Sequence, residues 1–485
     1  MYQETKNTVV LINPPAPDNR AWVREGRCQQ LDIWGAPFPP ISLAMISTQL
    51  VKSGFETLII DGGPEGKTIN DVLDICFKAR PALAILSTVT PTINSDLGWF
   101  AKSLKETLPF IKIAVIGIHV SALPEKVLEE FNSVDYAIIG EPEITCKELA
   151  ISICGNTLPL ESVNGLAYRG PKDTLVINPG REPPVEDLDS LGFPDWGKID
   201  FRNYRLPISG RPFSLIGFLR GCPFACVFCA ASVYSGRRVR KRSVASVMDE
   251  IEYNLSFGVR DFLFWAESMT SDKIYLLDFL DALQARNLHK KIRWVCNSRT
   301  DVTEREIFVK MKNAGCWQIA FGFEFGDENI LRIANKGGKD ILKRGRLAAR
   351  LADAAGIIVD GHFILGYPGE TAHTIESTIR YAYSLPITFA HFYTATPFPG
   401  SKLYDDALEK GWLSTDNWDS FNQSIAIIKT DSLAPQYITQ KIKEAYRRFY
   451  LRPSIFWRIA KMPRSPVEYY NLIKVAFRLY KDIRN

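Results

Sequence analysis

The sequence predicts an α/β protein in which a doubly wound parallel sheet is followed by a partial barrel of six β/α units. Short apolar runs rich in β-formers alternate with helical segments, and this alternation starts again near residue 200. Alternating strands and helices build parallel sheets with right-handed crossovers. A chain of 485 residues is also too long for one ordinary core. We therefore expect two α/β domains and a helical C-terminal segment.

The first domain, residues 1–180, is predicted to be an open Rossmann-like sheet. Its ligand site should lie beyond the carboxyl ends of the strands. No G-x-G-x-x-G follows the first strand and no G-x-x-x-x-G-K-S/T occurs, so neither a dinucleotide nor a P-loop nucleotide is favoured. The predicted strands are TVVLIN (8–13), FETLIID (55–61), ALAILS (82–87), KIAVIG (112–117) and DYAIIG (135–140).

A stretch rich in Pro, Asp and Gly, residues 181–205, is predicted to be a linker. The partial barrel should then occupy residues 206–400, and a helical, basic region residues 401–485. An active site in such a barrel lies at the C-terminal ends of the strands. The predicted barrel strands are FSLIGFL (213–219), RDFLFWAE (260–267), KIRWVCNS (291–298), WQIAFGFE (317–324), GIIVDGHFILG (356–366) and FAHFYTATP (389–397).

Three cysteines, Cys222, Cys226 and Cys229, stand on the loop directly after the first barrel strand. A structural zinc site normally uses four protein ligands. A cluster of four irons held by three thiolates keeps one iron open for a substrate or cofactor. The spacing therefore favours an iron–sulfur cluster that binds a ligand, over a zinc knuckle or a chance grouping.

The spacing Cys222-x-x-x-Cys226-x-x-Cys229, with Phe228 before the last cysteine, resembles the signature of radical S-adenosylmethionine (SAM) enzymes. The resemblance implies a 4Fe–4S cluster whose open iron chelates the amino and carboxylate groups of SAM. An electron from the cluster then cleaves SAM and releases a 5′-deoxyadenosyl radical. The resemblance also implies a reductant such as flavodoxin or ferredoxin.

The same resemblance implies SAM-binding residues at other strand ends. Glu267 in FWAES ends the second barrel strand, where relatives hold the methionyl amino group. Arg299 follows the third strand, and Glu324 closes the fourth, where it would face the SAM ribose. Gly366, in GHFILGYPGET (361–371), belongs to the strand whose backbone would meet the adenine. A carboxylate at the end of a strand can also cap a helix, which is the alternative for both glutamates.

The first domain resembles the cobalamin-binding domain that is fused to one branch of this superfamily. The motifs that carry the resemblance are LINPP (11–15), IIDGG (59–63), STVTPT (87–92), GIHVSALPE (117–125) and GEPEIT (140–145). The histidine motif D-x-H-x-x-G of free-standing domains is missing, so cobalamin without a histidine ligand is expected. His119 is expected to make a polar loop contact. The implied cobalamin-binding residues are Asn13, Ser87, Thr88, Thr90, Gly117 and Glu141.

The resemblance implies a cobalamin-dependent methyltransferase that moves a methyl group through methylcobalamin to an unactivated carbon or a phosphorus centre. FWAES (264–268), NSRTDV (297–302), KNAGC (312–316) and EGRCQQ (25–30) also resemble the subgroup with anaerobic magnesium-protoporphyrin ester cyclases and phosphorus methylases. Oxidative cyclisation or ring rearrangement without methyl transfer is the alternative. A cobalamin-binding redox sensor is a third reading, but a sensor has no need of a SAM site.

Charge and cysteine usage bear on the location and the partners of the chain. Nine unevenly spaced cysteines and the lack of a long apolar run predict a cytoplasmic protein with reduced thiols.

Residues 441–485 contain twelve lysines and arginines against three acidic residues, a net charge of +9, together with many aromatics. They predict either a helical face packed on the last domain or contact with an anionic membrane or lipid-like substrate. Nucleic acid is not expected. The run RRVRKR (237–242) is either a solvated helix entry or a site for an anion.

Overall fold

The computed structural model describes residues 5–16, 22–25, 29–31, 36–155, 157–181, 185–300, 302–338, 340–430, 432–463 and 465–484. The motif at 25–30 therefore lies partly outside the described residues. The strands of the first part are β1 (Thr5–Asn13), β2 (Trp22–Val23), β3 (Gln30–Leu31), β4 (Glu56–Asp61), β5 (Pro81–Ser87), β6 (Lys112–Ile116), β7 (Tyr136–Ile138), β8 (Leu166–Arg169) and β9 (Leu175–Ile177). Its helices are α1 (Ile41–Lys52), α2 (Ile69–Ala79), α3 (Lys102–Thr107), α4 (Ile118–Ala122), α5 (Pro124–Glu130) and α6 (Pro142–Ala150), with π-helical turns at Asn94–Ala101 and Ile151–Gly155.

The first sheet has the order β4-β1-β5-β6-β7-β8-β9 and is parallel from β4 to β7. The last two strands form an antiparallel hairpin at one edge. Alternate residues of β1 enter two cores: Val9 and Leu11 pack on the side of α1 and α6, whereas Val10 and Ile12 pack on the side of α2 and α3. Burial on both faces explains why these strands read as continuous apolar runs. The predicted doubly wound sheet is confirmed.

The Pro-rich stretch after this sheet is packed, although its sequence predicts a linker. Trp196 and Tyr204 are buried, and the Asp195 amide donates to the carbonyl of Ala44 in α1 at 3.1 Å. The Tyr204 hydroxyl donates to Asp61 at the end of β4 at 2.6 Å. Residues 185–205 thus fasten the start of the second domain to the first sheet.

The second sheet has six parallel strands in the order β10-β13-β14-β15-β16-β17. Helices connect successive strands, so the predicted partial (β/α)6 barrel is confirmed, and the loops after its strands meet at one end. The strands of this part are β10 (Phe213–Gly217), β11 (Leu219–Arg220), β12 (Arg240–Lys241), β13 (Asp261–Trp265), β14 (Arg293–Ser298), β15 (Cys316–Glu324), β16 (Ile358–Leu365) and β17 (Phe389–Thr394). Its helices are α7 (Ala231–Ser235), α8 (Val244–Ser256), α9 (Lys273–Ala285), α10 (Arg305–Asn313), α11 (Glu328–Ile333), α12 (Ile341–Ala354), α13 (Ala372–Ser384) and α14 (Lys402–Glu409).

Three helices follow at the C-terminus: α15 (Pro435–Tyr450), α16 (Pro453–Ala460) and α17 (Pro466–Arg484). Helix α15 closes the edge of the barrel, because the hydroxyls of Tyr446 and Tyr450 accept the amides of Phe392 and Ala390 in β17, each at 3.1 Å. Helix α16 and the described part of α17 keep several large apolar side chains exposed. Among the described residues, no helix is long and apolar enough to cross a membrane.

Candidate active site

The cysteine loop is held at both ends by backbone pairing. Strands β11 and β12 are antiparallel and flank the loop. The Cys222 amide donates to the carbonyl of Gly236 at 3.2 Å, and the Cys229 amide donates to that of Cys226 at 3.1 Å. Gly221 has a φ of 91°, and a Cβ on it would overlap the carbonyl of Arg238. Glycine is therefore needed for the chain to enter the loop.

The three thiols are half-buried and none is in a disulfide. Among the described residues, they do not form a group around one metal ion; such a group exists elsewhere, in the barrel interior. A mononuclear zinc site gathers its ligands around one ion, whereas a cubane spreads its thiolates over different irons. Three thiols on one loop therefore fit a cluster with one open iron better than a four-ligand structural zinc site.

A buried ion pair between Glu324 and Lys336 lies beside the cysteine loop. Through Lys336, it brings Glu324 close to two other predicted site residues, Arg299 and Phe228. Glu324, with a φ of 63°, accepts a hydrogen bond from Lys336 Nζ at 2.7 Å, and each residue is 8% exposed. Arg299 donates from Nη2 to the Lys336 carbonyl at 2.8 Å, and its Nη1 lies 3.8 Å from the sulfur of Cys226. Lys336 also lies 6.0 Å from the ring centre of Phe228. The sequence analysis missed Lys336.

The turn after β16 is organised by a carboxylate. Gly366 has a φ of 83°, and its amide and that of Tyr367 donate to Glu370 Oε2 at 2.7 and 2.9 Å. Burial raises the pKa of Glu370 to about 8, although the two amides oppose the shift. The Gly366 amide is thus bonded within the protein. Glu267 lies half-buried, two residues after β13.

Asn13 stands at the carboxyl end of β1, facing the end of β4. Its Nδ2 donates to Asp61 Oδ1 at 3.2 Å. Burial raises the pKa of Asp61 to about 6, while bonds from Tyr204 and Asn13 oppose the shift. Asn13 Oδ1 is buried and lacks a hydrogen-bond partner among the described residues. An unpaired acceptor at this rim suits a ligand that carries amide donors. The amide side chains of a corrin ring are donors of this kind.

The threonines after β5 are bonded to the protein itself. Thr88 donates to Asp96 at 3.0 Å, and Thr90 donates to Gln29 at 2.6 Å. Thr90 also contacts His119 Nδ1 at 3.1 Å. Both hydroxyls are buried, so they stabilise the conformation of the rim through these internal hydrogen bonds. Ser87, also buried, ends β5 directly before them.

Two further residues fix the rim after β6. Gly117 has a φ of 135°, and a Cβ there would overlap the carbonyl of Thr88, so the two loops touch through backbone. His119 is buried against Trp418, with ring centres 4.7 Å apart. Burial lowers the pKa of His119 to about 3, which keeps the imidazole neutral.

An ion network joins the rim to the cysteine loop. Arg220, two residues before Cys222, contacts Glu143 at 2.5 Å and Glu141 at 3.2 Å. Arg240 donates to Glu141 at 3.0 Å. Burial opposes ionisation of Glu141, but Arg220 and Arg240 hold its pKa below the usual value. Glu141, predicted to bind cobalamin, thus connects the two domains.

The run RRVRKR matches its predicted roles only in part. Arg237, Arg238 and Lys241 are exposed, as a solvated helix entry requires. Arg240 and Arg242 are instead buried in ion pairs with Glu141 and Glu250. Because these two guanidiniums already have carboxylate partners, they are not an open anion site either. Sequence alone could not reveal this, since the partners lie in distant segments.

Comparison with known proteins identifies both domains. Residues 216–382 match the radical SAM superfamily, and residues 34–150 match the B12 binding domain. An uncharacterized methyltransferase of Pyrococcus horikoshii is 30% identical over 87% of this chain and 90% of its own length. The chain belongs to the cobalamin-binding branch of the radical SAM superfamily.

A second relative and a solved structure are also similar to this chain. The anaerobic magnesium-protoporphyrin IX monomethyl ester cyclase of Rubrivivax gelatinosus is 27% identical over 85% of this chain and 74% of its own length. The structure of the radical SAM methyltransferase TsrM from Kitasatospora setae, with cobalamin and its cluster bound, has a TM-score of 0.72 at 15% identity. That match covers 98% of this chain and 99% of the other, and it supports the fold.

The predicted family, enzyme class and cofactors are confirmed. The chain is a cobalamin-binding radical SAM enzyme that uses a 4Fe–4S cluster, SAM and cobalamin. The cyclase relative fits the predicted alternative of cyclisation. As a radical SAM enzyme, the chain needs a reductant and acts on a small molecule.

Proposed function

We propose that the chain methylates an unactivated carbon or a phosphorus centre of a small, apolar or anionic molecule. The observation that carries the proposal is the direct link between the two domains. Arg220, next to the cysteine loop, is bonded to Glu141 and Glu143 on the rim of the first domain. If the rim and the cysteine loop hold the two cofactors as proposed, this link keeps them side by side, and proximity of reacting groups is a large part of catalysis.

Cys222, Cys226 and Cys229 are proposed as the ligands of the cluster. Arg299 stabilises the loop electrostatically, because its guanidinium lies 3.8 Å from the sulfur of Cys226 and thus near the negative charge of a thiolate. Phe228 packs edge-on against Phe325, with ring centres 6.3 Å apart, and this contact supports the loop beside Cys229.

Four residues at the other strand ends are proposed to hold SAM. The carboxylates of Glu267 and Glu324 supply acceptors, and Lys336 orients Glu324 through their ion pair. Gly366 contributes its carbonyl rather than its amide, because Glu370 already accepts that amide and Ile438 packs against the Gly366 Cα. Arg299 connects these residues to the cysteine loop through the Lys336 carbonyl.

Cobalamin is proposed to lie on the rim formed by Asn13, Ser87, Thr88, Thr90, Gly117 and Glu141. Asn13 offers its unpaired buried oxygen as an acceptor, while Gly117 keeps the neighbouring loops in contact. When bound, the cluster with SAM supplies a 5′-deoxyadenosyl radical, and cobalamin supplies a transferable methyl group. No histidine of the first domain is assigned to the metal, since His119 is buried under Trp418.

Oxidative cyclisation or ring rearrangement remains the second candidate. The observation that favours it is the 27% identity to a cyclase over most of this chain. Such a reaction uses the same radical but leaves the methyl group of SAM untouched.

One experiment separates the two reactions. The chain is purified anaerobically, loaded with iron, sulfide and cobalamin, reduced, and given SAM with a deuterated methyl group. A methyltransferase yields S-adenosylhomocysteine that requires cobalamin, together with 5′-deoxyadenosine. Formation of 5′-deoxyadenosine alone would favour cyclisation or rearrangement, and neither product with a complete cluster would contradict both.

The C-terminal helices are proposed to touch an anionic membrane, where an apolar, lipid-like substrate would be met. Ile473 and Phe477 in α17 are 67% and 70% exposed, and Trp457 in α16 is 62% exposed. The same region carries a net charge of +9, and apolar side chains combined with cations favour an anionic interface. The reductant is proposed to be a flavodoxin or a ferredoxin.

Vesicle sedimentation tests this contact. We expect the full chain to sediment with phosphatidylglycerol vesicles more than with neutral ones, and I473S/F477S to lose most of that difference. L347S, which changes an exposed residue on the barrel helix α12, is the control. Equal sedimentation of I473S/F477S and the unmodified chain would overturn the proposed contact.

A further inference from the structure

A second cluster of ligand-type side chains lies inside the barrel. It consists of Asp360 and His362 on β16 and His391 on β17. One potential ligand atom from each of them lies within 4.8 Å of the other two. His391 Nε2 is 3.2 Å and His362 Nε2 3.9 Å from Asp360 Oδ2. Neither the cysteine loop nor the rim uses these residues.

The side-chain alternation of the two strands directs the cluster into the barrel. Phe363 and Phe392, which neighbour His362 and His391 in sequence, pack outward against Tyr381 in α13 and Tyr446 in α15. Successive residues of a strand point to opposite faces. His362 and His391, which are also paired in register, therefore face the barrel interior.

The cluster lies beneath the proposed SAM site. His362 is paired with Gly322, two residues before Glu324 on β15. At about 3.3 Å per residue, the cluster is on the order of 7 Å deeper in the barrel than Glu324. A molecule that enters the barrel from the strand ends would meet it there.

We propose that Asp360, His362 and His391 bind a divalent transition metal ion of the zinc type. Two imidazole nitrogens and one carboxylate oxygen are a common protein ligand set for such an ion, with a further position open to a substrate atom. Ligands about 2.1 Å from a tetrahedral ion lie about 3.4 Å apart. The 3.2 and 3.9 Å separations to Asp360 Oδ2 match this spacing.

Two further observations point to a ligand at this place. Asp360 is 6% exposed, and its Oδ1 has no hydrogen-bond partner among the described residues. An unpaired oxygen on a buried, ionised carboxylate is costly, and a cation bound through Oδ2 would lower that cost by neutralising the charge that both oxygens share. His362 is half-buried with its side chain 30% exposed, which leaves access from the interior.

Neighbouring groups hold the three side chains in a ligating arrangement. The Tyr393 hydroxyl lies 3.1 Å from Nδ1 of His362. This contact orients the ring so that its other nitrogen, Nε2, faces Asp360. Gln318 Nε2 donates to Asp360 Oδ2 at 3.2 Å. Partners of this kind orient metal ligands and tune their basicity.

Metal retention by the full chain tests the inference. Cluster- and cobalamin-loaded protein is incubated with one equivalent of zinc and desalted, and zinc, iron and cobalt are counted per chain. We expect about one zinc in the unmodified chain and in H373Q, an exposed histidine on α13. We expect loss of zinc in H362Q and H391Q, and 10- to 100-fold weaker binding in Y393F.

Unchanged iron and cobalt contents show that each variant is folded. Because zinc also binds thiolates, the X-ray absorption of the retained zinc is recorded, and it should show nitrogen and oxygen neighbours with an imidazole pattern. Sulfur neighbours would assign the zinc to the cysteine loop and overturn the inference. Zinc content in H362Q equal to that in H373Q would do the same, and so would an unmodified chain without zinc.

Discussion

At the scale of single residues, Lys336 connects three parts of the proposed SAM site. Its ammonium pairs with Glu324, its carbonyl accepts from Arg299, and it lies near the ring of Phe228. Because the pair with Glu324 is buried, neither partner can regain solvent if the other is removed. The pair is therefore a sensitive point for both stability and binding.

We expect K336M to lower the free energy of unfolding by about 3 kcal/mol, since the buried Glu324 carboxylate loses its cation. The double variant K336M/E324Q should recover most of this loss, because the uncompensated charge is gone. Urea unfolding measures both. K343M is the control, because its exposed pair with Asp340 should contribute less than 1 kcal/mol. A double variant as unstable as K336M would contradict this account.

At the scale of elements, the turn after β16 depends on one carboxyl group. Glu370 accepts the amides of Gly366 and Tyr367 and has a pKa of about 8, against an ordinary value of 4.5. The folded chain therefore holds a proton that the unfolded chain has lost in this pH range. The stability from this group is complete below pH 4.5 and is lost as the pH rises through 8.

E370Q should remove this dependence on pH. Relative to the variant, the unmodified chain should lose up to about 1.4 kcal/mol of unfolding free energy per pH unit between pH 5 and pH 8. Urea unfolding at several pH values measures the difference. E376Q, in which a half-buried pair with Arg448 is broken, should leave the slope unchanged. A constant difference between E370Q and the unmodified chain would show that the Glu370 pKa is near its ordinary value.

The elements themselves were largely predictable, because buried parallel strands are apolar runs that end at a turn. FETLIID (55–61) and WQIAFGFE (317–324) each match a strand of the structure to within one residue at either end. The cysteine loop was also predictable, since its spacing is local. Lys336 and the pair of Arg240 with Glu141 could not be found, because those contacts join segments that only the packing brings together.

At the scale of the whole molecule, Arg220 and Arg240 connect the two domains through Glu141 and Glu143. We expect R220M to lower the first thermal transition in calorimetry and to separate the unfolding of the two domains. The physical reason is that the buried Glu143 carboxylate loses the cation with which it pairs among the described residues. R238M breaks only an exposed pair with Glu186 and should change little. Identical transitions in R220M and R238M would contradict a structural role for this network.

The most direct test of the central claim is the cleavage of SAM by single-cysteine variants. Reduced, cobalamin-loaded protein is given SAM, and 5′-deoxyadenosine and bound iron are measured in the same samples. If Cys222, Cys226 and Cys229 hold the cluster, C222A, C226A and C229A should each lose cleavage and most of the iron, whereas C154A should keep both. Any of the first three variants that cleaves SAM with unchanged iron would contradict the assignment of the site.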